Sequence, residues 1–143
     1  MPHRGQNLSN SWNHRVGRET GAGNIQSLQA KWTFSTTGDV SATPTVTGNV
    51  VFVPDWGGNL FALRSDNGEL IWTYPIAEYD GVPGSVSRIS RAVSSDEVIT
   101  GDVLNSNSTH NGGNVMGVDR ATGALRWITQ LTNSLPRSLP GRR

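Results

Sequence analysis

The feature that most restricts the fold of this chain is an internal repeat. Gly57–Trp72 reads Gly-Gly-Asn-Leu-Phe-Ala-Leu-Arg-Ser-Asp-Asn-Gly-Glu-Leu-Ile-Trp, and Gly112–Trp127 reads Gly-Gly-Asn-Val-Met-Gly-Val-Asp-Arg-Ala-Thr-Gly-Ala-Leu-Arg-Trp. The copies lie 55 residues apart, and Gly, Gly, Asn, Gly, Leu and Trp recur at the same six places. Self-similarity at this period predicts a protein built from repeated structural units.

Each copy has the pattern of two strands joined by a turn. Asn59–Leu63 is a short apolar run of the kind found in buried strands, and Gly68 and Gly123 follow where the chain must reverse. Trp72 and Trp127 close the returning strands. Because both tryptophans occupy the same point of the repeat, each is predicted to be a knob that one unit inserts into its neighbour.

The rest of the chain predicts two sets of four short strands. Leu28–Phe34 alternates apolar and polar residues, which predicts a half-buried leading strand that ends an earlier unit near Trp32. The other predicted strands lie at Ala42–Val46, Val50–Val53, Asn59–Leu63 and up to Trp72, then at Ile89–Val93, Val98–Thr100, Val115–Val118 and Ala124–Ile128. Four-stranded sheets repeated about an axis are the blades of a β-propeller.

The expected fold is therefore all-β, an incomplete β-propeller with about two four-stranded antiparallel blades, at residues 42–74 and 89–129, after the leading strand at 28–34. Residues 1–23 are predicted to be an irregular arm, residues 24–130 the partial propeller, and residues 131–143 an unstructured basic tail. Two insertions, Pro75–Ser87 and Val103–Gly113, interrupt the second set of strands. Long loops in repeat proteins often project from the binding face.

Composition excludes several classes of function. The net charge of +1 gives no footprint for nucleic acid or an anionic surface. The absence of cysteine excludes disulfides and thiolate metal sites. No apolar run approaches the ~18 residues of a membrane span, and the first residues show no apolar core of a secretory signal.

The chain resembles the quinoprotein alcohol dehydrogenases, most of all their polyvinyl alcohol dehydrogenase branch, over roughly residues 5–131. The stretches that carry the resemblance are Asn24–Phe34, Gly38–Pro44, Pro54–Leu63, Gly81–Arg88 and both glycine-to-tryptophan repeats. The resemblance implies a periplasmic β-propeller that holds pyrroloquinoline quinone (PQQ) with calcium, oxidises an alcohol, and passes electrons to a cytochrome c.

The resemblance also nominates two cofactor-binding residues. Arg88 matches the arginine that the family places against the quinone oxygens, a task that suits the fixed donors of a guanidinium. Ser41 stands where methanol-oxidising relatives have a glutamate near the cofactor, although a strand serine is more often structural. The adjacent cysteines of those relatives are replaced here by Val82 and Pro83. A solvated loop arginine is the alternative interpretation of Arg88.

No catalytic or metal-binding residue is predicted, because the family's base and calcium ligands lie in later blades. The aspartates at strand ends are expected to be ordinary turn residues: Asp39, Asp55, Asp80 and Asp102. Asn105–Asn114 offers oxygen ligands but contains no acid, which makes a calcium site there a remote alternative. His3, His14 and His110 have no companions at metal-ligand spacing.

Residues 131–143 break the pattern, with two prolines, three arginines and no alternation. A reading-frame break or a basic disordered tail would explain them. We therefore expect an N-terminal fragment of such a dehydrogenase that is inactive alone and does not stably bind PQQ and calcium by itself. Its expected partners are further propeller blades or a second copy, through exposed blade edges. The alternative is a non-catalytic propeller that serves as a scaffold or interaction module; the enzyme question stays open at this point.

Overall fold

The computed structural model describes residues 21, 23–89, 91–103 and 113–131, which form two four-stranded antiparallel sheets. Blade 1 consists of β1 (Thr45–Thr47), β2 (Val50–Pro54), β3 (Asn59–Arg64) and β4 (Leu70–Pro75). Blade 2 consists of β5 (Ala92–Val93), β6 (Glu97–Gly101), β7 (Asn114–Asp119) and β8 (Leu125–Gln130). A 3₁₀ turn, Ile25–Ser27, precedes blade 1, and a short helix α1, Ile76–Asp80, follows it. Within each blade the strands lie in sequence order.

The two blades share one register. Val51 of β2 is opposite Leu63 of β3, and Val98 of β6 is opposite Val118 of β7. A residue in β1 or β2 is therefore equivalent to the residue 47 positions later in blade 2, and a residue in β3 or β4 is equivalent to the residue 55 positions later. A register shift also recurs at the same place in both blades, between β3 and β4 and between β7 and β8. The repeat seen in the sequence is thus a repeat of the backbone.

The main core lies between the blades. Burying apolar area there is the dominant favourable contribution to folding. Blade 1 contributes Phe52, Leu60, Ala62 and Trp72; blade 2 contributes Val93, Val98, Met116 and Val118; and α1 adds Ile76 and Tyr79. The opposite face of blade 1 forms a second cluster, in which Val51, Val53, Phe61 and Leu63 pack against the half-buried Trp32 and Phe34.

The predicted tryptophan knobs are confirmed at two of the three positions. Trp72 donates its indole N–H to the Arg120 carbonyl (3.1 Å), and Trp32 donates to the Ser65 carbonyl (3.0 Å). Each ring also lies against the glycine of the turn it reaches: a Cβ on Gly123 or Gly68 would be 2.7 Å from the indole. These glycines adopt φ of +76° and +77°, which an L side chain disfavours. Glycine therefore gives both the turn and the space for the ring.

Trp127 is the third knob, and its side chain is 37% exposed. Its indole lies over Gly117 of its own blade. Ile128 and Leu131 beside it are also exposed. Blade 2 covers the face of blade 1 that carries Trp72, whereas the equivalent face of blade 2, which carries Trp127, is therefore open.

One strand prediction was wrong, and two others had the wrong bounds. Leu28–Phe34 forms no strand: Leu28 and Ala30 are exposed, only Trp32 and Phe34 are half-buried, and among the described residues the segment pairs with no strand. The segment packs against blade 1 in the same position that β4 takes against blade 2. β4 is a strand because it is hydrogen-bonded to β3, and among the described residues Leu28–Phe34 has no such neighbouring strand. The first strand of each blade is also shorter than predicted, Thr45–Thr47 instead of Ala42–Val46 and Ala92–Val93 instead of Ile89–Val93.

Candidate functional site

The two predicted cofactor residues occupy equivalent positions. Ser41 and Arg88 each lie four residues before the first strand of their blade, β1 or β5. Trp56, in the turn between β2 and β3, joins them. Its indole N–H donates to Ser41 Oγ at 3.0 Å, and the Arg88 guanidinium carbon lies 4.4 Å from the ring centroid. All three side chains are exposed, so they form a surface cluster, here called the Trp56 cluster.

The Ser41 side of the cluster is held by a buried aspartate. Asp55 accepts hydrogen bonds from Thr37 Oγ1 (2.7 Å), from the Gly38 amide (2.8 Å) and from the Asn59 amide (2.9 Å). Burial would raise the pKa of Asp55, but these hydrogen bonds outweigh it and hold the pKa below its ordinary value. A Cβ on Gly38 would clash with the backbone of Gly57. Two glycines thus let the segment before β1 approach the Trp56 turn.

The Arg88 side is held by a second aspartate. Asp80 accepts hydrogen bonds from the Val82 amide (2.8 Å) and from Ser85 Oγ. Farther along this loop, the Val86 carbonyl accepts a hydrogen bond from the Val103 amide at 2.8 Å, which holds the loop against the residues that follow β6. This loop follows α1, whose helical turn was not predicted from sequence.

The aspartates behave as turn residues, as predicted. Asp55 and Asp102 are equivalent, and each binds the amide of the asparagine that starts the third strand, Asn59 or Asn114. The two aspartates differ in their other neighbour: Asp55 accepts from Thr37, whereas Asp102 faces the Asp80 carboxyl. Burial, and then the neighbouring Asp102, raise the pKa of Asp80, although hydrogen bonds from Ser85 and Val82 oppose this.

Metal binding finds no support among the described residues, which contain no group of three or more His, Asp or Glu side chains suited to hold an ion. Most of the asparagine-rich segment Asn105–Asn114 lies outside the described residues, as do His3, His14 and His110. No helix in the described part of the chain is long and apolar enough to cross a membrane.

A groove of about 430 Å³ lies between the blades at the end away from the Trp56 cluster, next to the β5–β6 and β7–β8 turns. Arg126, which lines this groove, forms ion pairs with Asp96 at 2.8 Å and with Asp119 at 2.6 Å. The hydrogen bond from Arg126, followed by those from Thr122, lowers the pKa of Asp119 to about 2. Arg120, which also lines the groove, donates to the Thr47 carbonyl at 3.1 Å and to the Ser95 carbonyl at 3.4 Å. Because these side chains are engaged within the chain, this groove is a weaker candidate than the Trp56 cluster.

Sequence reasoning missed Trp56 in this cluster and, outside it, the buried Arg91. Trp56 was assigned only to a turn, although a tryptophan between Asp and Gly-Gly in a turn is a signal worth following. Arg91 was given no role, yet its side chain is only 5% exposed. Within the described residues its Nε and Nη1 atoms have no hydrogen-bond partner, and burial lowers the pKa of Arg91 to about 9.

Solved structures share this architecture. BamB from Moraxella catarrhalis aligns at 22% identity with a TM-score of 0.55, covering 71% of this chain and 27% of its own. A europium-containing methanol dehydrogenase aligns at 18% identity and TM-score 0.56, covering 70% of this chain and 19% of its own. The quinohemoprotein alcohol dehydrogenase from Comamonas testosteroni aligns at 23% identity and TM-score 0.52, covering 64% and 13%.

At these identities the likeness establishes the fold alone, and the chain spans about a quarter or less of the length of each of these proteins. No curated protein matches the sequence. The sequence model of one family does match, and it covers residues 12–138. The chain therefore belongs to the β-propeller repeat family described as outer membrane protein assembly factor BamB.

Proposed function

We propose that this chain forms part of a PQQ-dependent alcohol dehydrogenase of the polyvinyl alcohol type, and that the Trp56 cluster faces the quinone. The observation that carries the proposal is the joining of Arg88 and Ser41 through Trp56. The two residues were nominated separately, 47 positions apart, and they meet at one aromatic side chain.

The residues present fit a flat, electron-rich, anionic cofactor. Within the described residues Arg88 makes no hydrogen bond or ion pair, and its guanidinium lies over the Trp56 ring, so its N–H donors remain available. Ser41 Oγ accepts the Trp56 indole N–H and retains its own hydroxyl proton for donation. An exposed indole offers a stacking surface.

When bound, the quinone would accept the two electrons removed from an alcohol. Arg88 would hold its oxygens through charge-assisted N–H donors, and these donors also favour negative charge that develops on reduction. Ser41 would add one hydrogen bond, while the Asp55 and Asp80 anchors keep both residues in place. The catalytic base, the calcium ligands, the cytochrome c acceptor and the periplasmic location belong to the proposed whole protein.

Titration of this chain with PQQ tests the proposal, with tryptophan fluorescence as the readout. Weak, readily reversible quenching is expected, because the chain by itself is not expected to hold PQQ stably. Arg88→Gln is expected to weaken this binding roughly tenfold or more, because a hydrogen bond to a charged group contributes about 1.5–3 kcal/mol. Arg64→Gln is the matched control, since Arg64 is an exposed arginine already paired with Asp66 at 2.9 Å. Equal PQQ affinity for wild type and Arg88→Gln would refute the assignment.

The alternative is a non-catalytic scaffold, and the family description as an assembly factor favours it. The open apolar face around Trp127 would then be the interaction surface. Adding PQQ and calcium with a secondary alcohol and a redox dye separates the two. We expect weak PQQ contact without turnover from this chain, whereas a scaffold would show no quinone contact at all.

A further inference from the structure

Arg91 is a buried cation without an anion. Its side chain is 5% exposed, and within the described residues its only side-chain hydrogen bond joins Nη2 to Ser87 Oγ at 3.3 Å. Ser87 Oγ in turn lies 3.0 Å from Thr100 Oγ1. Both hydroxyl residues are buried, at 3% and 0% exposure. The guanidinium thus ends beside two buried hydroxyls, with Nε and Nη1 unpaired within the described residues.

This polar cluster is particular to blade 2. By the shared register, Arg91 corresponds to Pro44 and Thr100 corresponds to Val53. In blade 1 Pro44 is exposed, and Val53 is buried in the cluster around Trp32 and Phe34. Blade 2 therefore places a buried guanidinium where blade 1 has an exposed proline, and a buried hydroxyl where blade 1 has a buried valine, although the backbone needs neither.

Such a replacement is costly unless an anion is bound. Removing a charged group from water without a partner costs several kcal/mol, and native structures rarely leave buried polar atoms unpaired. Asp80 and Asp102, acidic residues at the two ends of this region, are engaged elsewhere, Asp80 with the Val82 amide and Asp102 with Asn114. Arg88 and Ile89, three and two residues before Arg91, are exposed, so the segment that carries Arg91 reaches the surface.

We propose that Arg91, Ser87 and Thr100 form a binding site for a single carboxylate group. The guanidinium supplies charge-assisted N–H donors, and the two hydroxyls supply short O–H donors that can rotate toward the carboxylate oxygens. The carboxylate comes either from a small molecule or from an Asp or Glu side chain of a second copy. This proposal is independent of the quinone, because it depends on none of the Trp56 cluster contacts.

The test observes the Nε–H resonance of Arg91 in the ¹⁵N-labelled chain, assigned by its loss in Arg91→Met. Sodium acetate is titrated against sodium chloride at equal ionic strength, and the chain is separately concentrated without acetate. A saturable shift with acetate identifies a small-molecule site. A shift with protein concentration alone identifies a side chain of a second copy. An Nε–H that responds to neither, or equally to acetate and chloride, overturns the proposal.

Thermal unfolding provides a second readout. Acetate at a hundred times its Kd should raise the Tm of wild type by on the order of 10 °C. Arg91→Met should unfold at the same or a higher temperature than wild type without acetate, because it removes an uncompensated buried charge, and it should not respond to acetate. Arg64→Met, at an exposed arginine, is the control and should respond like wild type. A Tm rise retained in Arg91→Met would contradict the site.

Discussion

Gly123→Ala tests whether tryptophan docking joins the two blades. Gly123 adopts φ of +76°, where an L residue costs about 1–2 kcal/mol. The added Cβ would also lie 2.7 Å from Trp72 Cε3 and 2.8 Å from Tyr74 Cδ2, which forces the ring out of its place. Overpacking of this kind costs about 1–3 kcal/mol. The expected loss in the free energy of unfolding is therefore about 2–5 kcal/mol in total.

Gly81→Ala separates the two contributions. Gly81 has a similar φ of +71°, but nothing lies within 4 Å of the position its Cβ would take. Its substitution should cost only the conformational part, about 1–2 kcal/mol. The difference between Gly123→Ala and Gly81→Ala therefore measures the contact with the indole.

Urea unfolding followed by tryptophan fluorescence gives both values. Equal losses in the two variants would refute the reasoning, because the tryptophan would then contribute nothing to the effect at Gly123. Gly68→Ala extends the test to the other docked ring. Its Cβ would lie 2.7 Å from Trp32, so it should be destabilised like Gly123→Ala.

Two further outcomes are expected. The first concerns Trp127, which is exposed with Ile128 and Leu131 on the open face of blade 2. Trp127→Gln should reduce self-association in sedimentation velocity, and it should destabilise the chain far less than Trp72→Gln does. A wild-type chain that stays monomeric at all concentrations would contradict this. The second concerns Asp80, whose pKa lies above the ordinary 3.8. Protonated Asp80 makes its full contribution to stability below that ordinary value, and the contribution is lost as pH rises through the raised pKa. The Tm of Asp80→Asn should therefore fall less than the Tm of wild type over the same rise in pH. Parallel Tm curves from pH 3 to 7 would argue against the carboxyl pair.

The repeat made the fold predictable because its signals are local. Glycine at the turn and tryptophan on the returning strand fix a hairpin within 16 residues, and the same pattern in two places implies a shared register. The same reasoning failed at Leu28–Phe34: Trp32 and Phe34 are half-buried as the alternation predicted, but Leu28 and Ala30 are exposed, and the segment forms no strand. A strand requires a neighbouring backbone, and no local pattern reveals one.

The candidate site was only partly predictable, because its contacts join distant segments. Arg88 and Ser41 were nominated from resemblance, whereas their connection through Trp56 depends on how three loops meet. Helix α1 has five residues, too few for a periodic signal. Arg91 stands between Ser90 and Ala92 in the predicted strand Ile89–Val93, where an arginine is expected on the exposed face, so its burial follows from blade packing and not from sequence.

Differences between equivalent positions indicate where each blade has a role beyond packing. A pair of residues that maintains the fold should be similar in both blades, as Asp55 and Asp102 are in binding the asparagine that starts the next strand. Where the blades differ in charge at the same place, the backbone cannot be the reason, because the backbone is the same. Arg88 in place of Ser41 and Arg91 in place of Pro44 both put a cation before the first strand of blade 2. Within the described residues neither cation has an anionic partner, which makes this segment the place where a ligand is to be sought.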